Sequence, residues 1–322
     1  MLEYKGGVEL MKHLTILKMK LEQMSLSLSN ILSVSDSELN SYELGILKPN
    51  RELMKSIFEL FIVHEILVHS NGVDVIDVTF DVYSDSDGND PDTHSPTLNH
   101  YHYLLWNKKL PNGELFLLKK VFRNKYLLEN KDSHSRFTEY SSDSIIHPFH
   151  YWSSMQPIIQ QIPTSEIEAF HQLGSTIGGY IIFPSRKIDN KPTINTARGL
   201  HGKIRDRFDL TLECIRLHYL KMDNPLREVL KRYDSFFKLF DNFKGYVHFF
   251  LLDDMVCNEY NQILFWLPFE GFDSFGILPR DIDEYRLYMD NVMVFIHRRN
   301  ARILKQFILD SNKNVINDII RH

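Results

Sequence analysis

The sequence predicts an α+β protein, with a small all-α domain over residues 1–70 and a larger mixed domain over residues 71–322. Three observations carry that expectation. Apolar residues recur at helical spacing to about residue 66, then alternate strictly after Asn71-Gly72. Beyond that switch, strand-like and helix-like runs mix without the strand–helix–strand rhythm of a doubly wound sheet. A chain of 322 residues also exceeds the usual size of one domain.

The elements follow in chain order. Leu10, Leu14, Leu17 and Leu21 share one helical face, as do Leu53, Ile57, Leu60 and Phe61. Ile76, Val78, Phe80 and Val82 face one way while Asp77, Thr79, Asp81 and Tyr83 face the other, the pattern of a half-buried strand. The change of period places a domain boundary near residues 68–73. "SDSDGNDPDTHSP" reads as a polar turn region. "GELFLLKKVF", "GGYIIFP" and "YVHFFLL" read as strands. "DRFDLTLECIRLHYL", "LREVLKRYDSFFKLF" and a long run from Asp283 to about Asp310 read as helices.

Composition bounds the function classes. Hydrophobic residues make up 43% and charged residues 25%, which suits a globular protein with a real core. The net charge of −5 makes the surface as a whole no attractant for nucleic acid, so any such binding requires a local patch. Cys214 and Cys257 lie in apolar surroundings and are expected to be free thiols of a reducing compartment. The start of the chain lacks the apolar core of a secretory signal, and charges interrupt every long apolar run. A cytoplasmic protein with no membrane segment is expected.

The segment "VSDSELNSYELGILKP" resembles the Cro/CI repressor (XRE-type) helix-turn-helix family over roughly residues 10–66. Ser35 is placed to cap a helix starting at Asp36, Gly45 to end it, and Pro49 to open the next. The resemblance implies that Ser37, Glu38, Asn40 and Ser41 face base edges, with Lys48 and Arg51 on phosphates, in a homodimer. Residues 1–70 hold seven Lys/Arg against nine Asp/Glu, which opposes a polyanion. Two uses therefore fit the segment: sequence-specific DNA binding, or dimerisation and partner docking.

From about Asp74 onward, "DPDTHSPTLNHYHYLLWNKKLPNGELF", "STIGGYIIFPSRKID", "INTARGLHGKIRDRFDLTLECIRLHY" and "GYVHFFLLDDMV" resemble an uncharacterised bacterial family. That implies a shared fold and no known activity, so the residues carry the functional reading. The Asp cluster fails the EF-hand template, since counting from Asp85 puts Asp90 sixth and Pro96 twelfth. Turn-forming aspartates are the expectation, with Asp85, Asp90 or Asp92 as the alternative ligands. In "HYHYLLWNKK", His100 and His102 lack a further partner at zinc spacing, so no metal site is expected, and His102 is a candidate general base.

The basic run from Arg186 to Arg207 holds seven Lys/Arg and two Asp. Arg198, Lys203, Arg205 and Arg207, with Gly199 and Gly202 between them and a helix to follow, make a candidate phosphate or nucleic-acid site. It matches neither the P-loop nor the dinucleotide fingerprint. In the next helix, Asp209, Glu213 and Arg216 form an ion-pair ladder, or else Glu213 and Arg216 lie beside Arg198 and Arg207 as catalytic groups of a cleft. His297, Arg298, Arg299, Arg302 and Lys305 offer a second cationic face. No motif names a cofactor.

Two functions remain open at this level. One is a regulator whose large domain binds a phosphate-bearing ligand, nucleotide or RNA while the N-terminal module reads DNA. The other is a toxin or phage-defence effector enzyme acting on RNA or a nucleotide.

Overall fold

The computed structural model describes residues 35–43, 76–121, 127–131, 137–273 and 277–321. Helix α1 spans Asp36–Glu43 and opens on a reciprocal cap. The Glu38 backbone N–H donates to Ser35 Oγ at 3.2 Å, and Ser35 N–H donates back to Glu38 Oε2 at 3.0 Å. The remaining helices expected before residue 66, Lys48, Arg51 and the boundary near 68–73 lie outside the described residues.

The chain divides into two compact units, and residues Phe80–Arg299 form the larger. Just before it, the alternation of Ile76 to Val82 does not make a strand. Residues 76–81 turn, and Val82–Asp85 form a short 3-10 helix. The aspartates that create the alternation also defeat it. Asp77 Oδ1 takes the Thr79 N–H at 2.8 Å, and Asp81 Oδ1 takes the Tyr83 N–H at 2.9 Å, capturing donors that a ladder needs.

The Asp-rich segment that follows acts as capping and turn structure. Asp90 caps α2 (Pro91–His94), and Ser95 caps α3 (Pro96–Trp106), each helix with proline in its first turn. Asp85 fixes this corner by accepting from Ser95 Oγ at 2.5 Å and Thr97 N at 2.9 Å. A hairpin of β1 (Lys108–Lys109) and β2 (Leu115–Phe116) leads to an antiparallel sheet. Its order is β3 (Lys119–Val121), β4 (Leu127–Lys131), β5 (Phe137–Ser144) and β6 (Tyr180–Pro184). Strand β6 is buried along its whole length, and pairs Ser142 with Ile182 and Asp143 with Ile181.

Helices complete the unit: α4 (Gln156–Ile159), α5 (Thr164–Gly174), α6 (Ile194–Leu200), α7 (Phe208–Tyr219), α8 (Arg227–Arg232), α9 (Asp234–Phe237) and α10 (Phe243–Phe249). A two-stranded ribbon of β7 (Val256–Cys257) and β8 (Gln262–Ile263) precedes α11 (Ile282–Arg321), the long helix expected from Asp283 onward. Strands at "GELFLLKKVF" and "GGYIIFP" are present, the first as β2 and β3.

"YVHFFLL" is helical instead of extended. Asn242 caps α10 by accepting the Gly245 N–H at 3.0 Å, and the segment sinks into an aromatic core. Phe240 and Phe249 lie 4.9 Å apart, Trp106 and Phe250 5.2 Å, and Phe116 and Tyr140 5.4 Å. Such pairs contribute about 0.5–1.5 kcal/mol each beyond the area they bury. A short helix apolar on most sides has no period to distinguish it from a buried strand.

Gly245 is required by space. A Cβ there would stand 2.1 Å from the Phe240 carbonyl oxygen, which belongs to the backbone and cannot swing away. Gly245→Ala is expected to destabilise the protein by about 1–3 kcal/mol in urea denaturation, the range of an overpacked core.

Candidate functional site

The chemistry of the larger unit gathers around Arg198, in the last turn of α6 and only 2% exposed. Thr193 caps this helix by accepting the Thr196 N–H. The Arg198 guanidinium donates through Nη1 to Asp143 Oδ2 at 2.6 Å and to the Ser144 carbonyl at 3.2 Å. Through Nη2 it donates to the Asp206 carbonyl at 2.9 Å, and through Nε to Thr211 Oγ1 at 3.3 Å. Asp206 Oδ1 also lies 3.0 Å from Nη1. One side chain thus joins the end of β5, helix α6, the turn at 205–206 and the first turns of α7.

That turn is strained. Arg205 and Asp206 both hold left-handed backbones, with φ of 50° and 64°. For non-glycine residues this costs roughly 1–2 kcal/mol each. The paired Asp206 backbone, whose N–H donates to the Arg198 carbonyl at 3.1 Å, keeps the conformation in place. Gly199 and Gly202 do not shape it: their backbones are ordinary, and a Cβ at Gly202 would meet nothing within 4 Å.

Behind Arg198 lies a buried acid pair. Burial pushes Asp143 up to about 7, while the Arg198 guanidinium pulls it down. Asp92 is raised well above the ordinary carboxylate range by burial, then by the charges of Asp143 and Asp90. Its Oδ1 is buried without a hydrogen-bond partner. Asp92 takes no hydrogen bond from the guanidinium, so the raising effect of burial and of its acidic neighbours is offset little by that cation.

A directed chain of hydrogen bonds runs to Ser142. The Trp106 indole, a donor only, gives its N–H to His102 Nδ1 at 2.9 Å. The imidazole is therefore protonated at Nε2, which donates to Ser142 Oγ at 2.9 Å. The Ser142 side chain in turn lowers the proton affinity of Asp92, against the larger effect of burial. His102 is fully buried, and burial pushes it down to about 3, so it is neutral and offers no free lone pair.

Toward solvent the junction meets a rim rich in rings. His147 Nδ1 accepts the Phe149 N–H at 2.9 Å, leaving Nε2 3.6 Å from Asp206 Oδ2. Exposed Arg205 lies over the Trp152 ring, 4.5 Å from its centroid. His150 stands beside the widely exposed Tyr151, with ring centroids 3.8 Å apart. Burial lowers His147, His150 and His201, so these imidazoles are neutral near pH 7. Exposed Lys203 pairs with Asp273 at 2.5 Å.

The structure scatters the cations that the sequence groups together. Arg207 is buried and grips Asp209 from Nε at 3.1 Å and Nη2 at 2.5 Å, and also donates to the Ile277 carbonyl at 2.7 Å. Asp209 additionally accepts the Trp266 N–H, so the start of α7 is interior and presents no open helix end to a phosphate. The ladder expected along α7 is therefore cut. Asp209 turns inward, while Glu213 and Arg216 pair with each other at 2.7 and 2.8 Å. They are not brought to Arg198 or Arg207.

Arg299, expected on a solvated face, is buried and donates to the carbonyls of Gly178, Tyr180 and Phe250. Of the phosphate candidates, only Lys203 and Arg205 are exposed. Asp143, His147 and Trp152 escaped the sequence reading, which named Asp92 only as an alternative ligand. Asp143 sits among the serines of "YSSDSII", just before two isoleucines, and that was the available signal.

In the N-terminal segment, Ser37 and Glu38 are exposed on α1, and the Ser41 hydroxyl donates to the Ser37 carbonyl at 2.8 Å. The Glu38 carboxylate is held by Ser35 and kept below its ordinary range by those bonds. Asn40 lies on the same helix. Among the described residues no group of three His, Cys, Asp or Glu side chains is arranged to hold a metal ion. No described helix is long and apolar enough to cross a membrane.

A four-stranded antiparallel sheet, joined to its neighbouring helices through a buried arginine–carboxylate centre, defines an α+β protein. The chain belongs to the family of unknown function DUF6994, whose model matches residues 76–303. No curated protein and no solved structure matches the chain.

The acid pair has a stability signature. A group whose proton affinity is raised by folding adds stability below the unfolded value near 4, and that contribution fades as pH rises through its folded value. Asp92 is surrounded by Asp90, Asp143, Ser142 and Arg198. The wild type is expected to lose on the order of 2 kcal/mol between pH 4.5 and 8 from this source, and Asp92→Asn to show a flatter curve. Parallel urea titrations across that range check it. Arg198→Met, which strands Asp143 without its cation, is expected to cost about 3–5 kcal/mol at pH 8 and less at pH 5.

Proposed function

We propose that the large domain binds an anionic, phosphate-bearing ligand or nucleic acid at the 201–206 turn, and that the chain acts as a regulator. The carrying observation is Arg205. It is exposed in a strained left-handed turn, its guanidinium lies over the Trp152 ring, and its neighbour Asp206 is fixed from within by Arg198. Strain that is retained at a solvated cation, supported by a buried ion pair, is a preorganised contact. Arg198 and Arg207, named from the sequence as phosphate ligands, serve in this reading as the scaffold of the turn. Lys203 supplies the second cation.

The N-terminal module enters the same reading as a helix-turn-helix of Cro/CI type that pairs the chain and meets DNA. The exposed Ser37 on a capped α1 suits a base-reading position, together with Asn40 and Ser41. Glu38 belongs to the cap and helps to position the helix instead of reading a base. Lys48 and Arg51 would carry the phosphate contacts.

Binding of the full-length chain to inorganic polyphosphate and to labelled oligonucleotides tests the large-domain site. Arg205→Glu and Lys203→Glu are each expected to weaken binding at least tenfold and to lower the salt slope by about one. Unchanged affinity in both variants would remove the turn from the site.

A second reading, an effector enzyme acting on RNA or a nucleotide, has one observation in its favour. His147 is neutral near pH 7, anchored at Nδ1, and faces Asp206 with its other nitrogen. Induced expression with and without phage separates the two. The regulator leaves growth and phage yield unchanged between the wild type and His147→Asn, whereas growth arrest relieved by His147→Asn would favour the enzyme.

A further inference from the structure

We infer that the face built from residues 147–152 and the 201–206 turn is a stacking platform for single-stranded nucleic acid. This deepens, and rests on, the anion-binding reading above. A phosphate site needs cations and donors alone. This face adds flat rings in excess of what the core requires. Tyr151 is 82% exposed, a level that packing does not explain for an aromatic side chain. Its ring touches that of His150, whose centroid lies 3.8 Å away. His150 in turn lies 6.0 Å from the ring of His171 on α5.

Next to this pair, Trp152 forms the floor beneath the Arg205 guanidinium. Trp152 is itself braced by Phe149 and His147, with ring centroids 6.0 Å away in each case. Phe149 holds a left-handed backbone, φ 57°, so this stretch is strained like the turn opposite. A guanidinium held over an indole offers its other face as a plate. Unstacked bases lie on such plates and on tyrosine rings, while the N–H groups at the plate's edge take the adjoining phosphate.

The rest of the face fits a strand better than a duplex. Among the described residues of these two stretches the exposed cations are Lys203 and Arg205, and Lys203 already shares its charge with Asp273. The paired phosphate rows of a duplex would find few partners here, and its bases are stacked away from protein rings. A flexible single strand can place successive bases on Tyr151 and Arg205 and needs only one phosphate contact between them. The neutral imidazoles of His147 and His150 add donors and ring faces without adding charge.

The test uses the full-length protein with a labelled twelve-nucleotide single strand, the same sequence as a duplex, a mononucleotide and inorganic polyphosphate. The single strand is expected to bind at least tenfold more tightly than each of the other three, since one stacked base contributes about 1–3 kcal/mol. Tyr151→Ala, at an exposed site where folding is not at stake, is expected to remove most of that preference. Arg205→Lys keeps the charge and removes the plate, so polyphosphate binding should persist while the strand's advantage falls.

Equal binding of strand and polyphosphate, unaffected by either variant, would overturn the platform and leave the anion site standing. Duplex or mononucleotide binding as tight as the strand's would overturn it as well. Failure of all four ligands to bind would overturn the platform and the anion site together.

Discussion

The buried pairing of Arg198 with Asp143 and Asp206 is the constraint on which the rest of the large domain depends. A buried guanidinium is tolerated only where its donors are satisfied and its charge is balanced. Here the partners come from a strand, a left-handed turn and the hydroxyl of a helix. Those partners cannot all be reached unless β5, α6, the 205–206 turn and α7 take their observed places. An apolar core of phenylalanines would tolerate several packings, whereas a shared guanidinium specifies one geometry. Arg207 with Asp209, and Arg299 with three carbonyls, repeat the device where loops must be tied to helices. Arg299 is held by carbonyl oxygens alone among the described residues, and burial drives its proton affinity down to about 9.

How much of this was legible in the sequence depended on whether a signal was local. The Ser35 cap and the turn-forming role of Asp90 were legible, because each bonds to a backbone group two or three residues away, whereas the caps at Ser95 and Thr193 were not read. So were β6, α7 and α11, whose apolar patterns are long or bounded by clear breakers. The strand expected at Ile76–Tyr83 failed because a period of two cannot say whether its polar members will face water or seize backbone donors. The helix at Phe243–Phe249 failed for a different reason. A segment buried on most sides carries no period, and the Gly245 that enables its close approach reads like a breaker.

The candidate site was legible only as a charge statistic. Seven cations between Arg186 and Arg207 stood out against an acidic chain, but a count does not tell which arginines turn inward. That depends on carboxylates distant in sequence, and Asp143 lies fifty-five positions before Arg198. Two of the four cations singled out there became scaffold and two remained at the surface. His102 shows the same limit. A histidine beside a tryptophan at i+4 looks available for proton transfer until the indole occupies one nitrogen and Ser142, forty residues on, occupies the other.

The interior pairing and the exposed rim are linked through a single residue. Asp206 gives its carbonyl and a carboxylate oxygen to Arg198, and turns its second oxygen toward His147. Any change in the charge of the acid pair therefore alters the pull on the Arg198 guanidinium, and with it the hold on the turn that carries Arg205. One guanidinium serves Asp143 and Asp206 together, so charge on the neighbouring Asp92 would compete for the same cation. The acid pair inside and the plate outside are two ends of one electrostatic balance, and the left-handed turn between them is where it is spent.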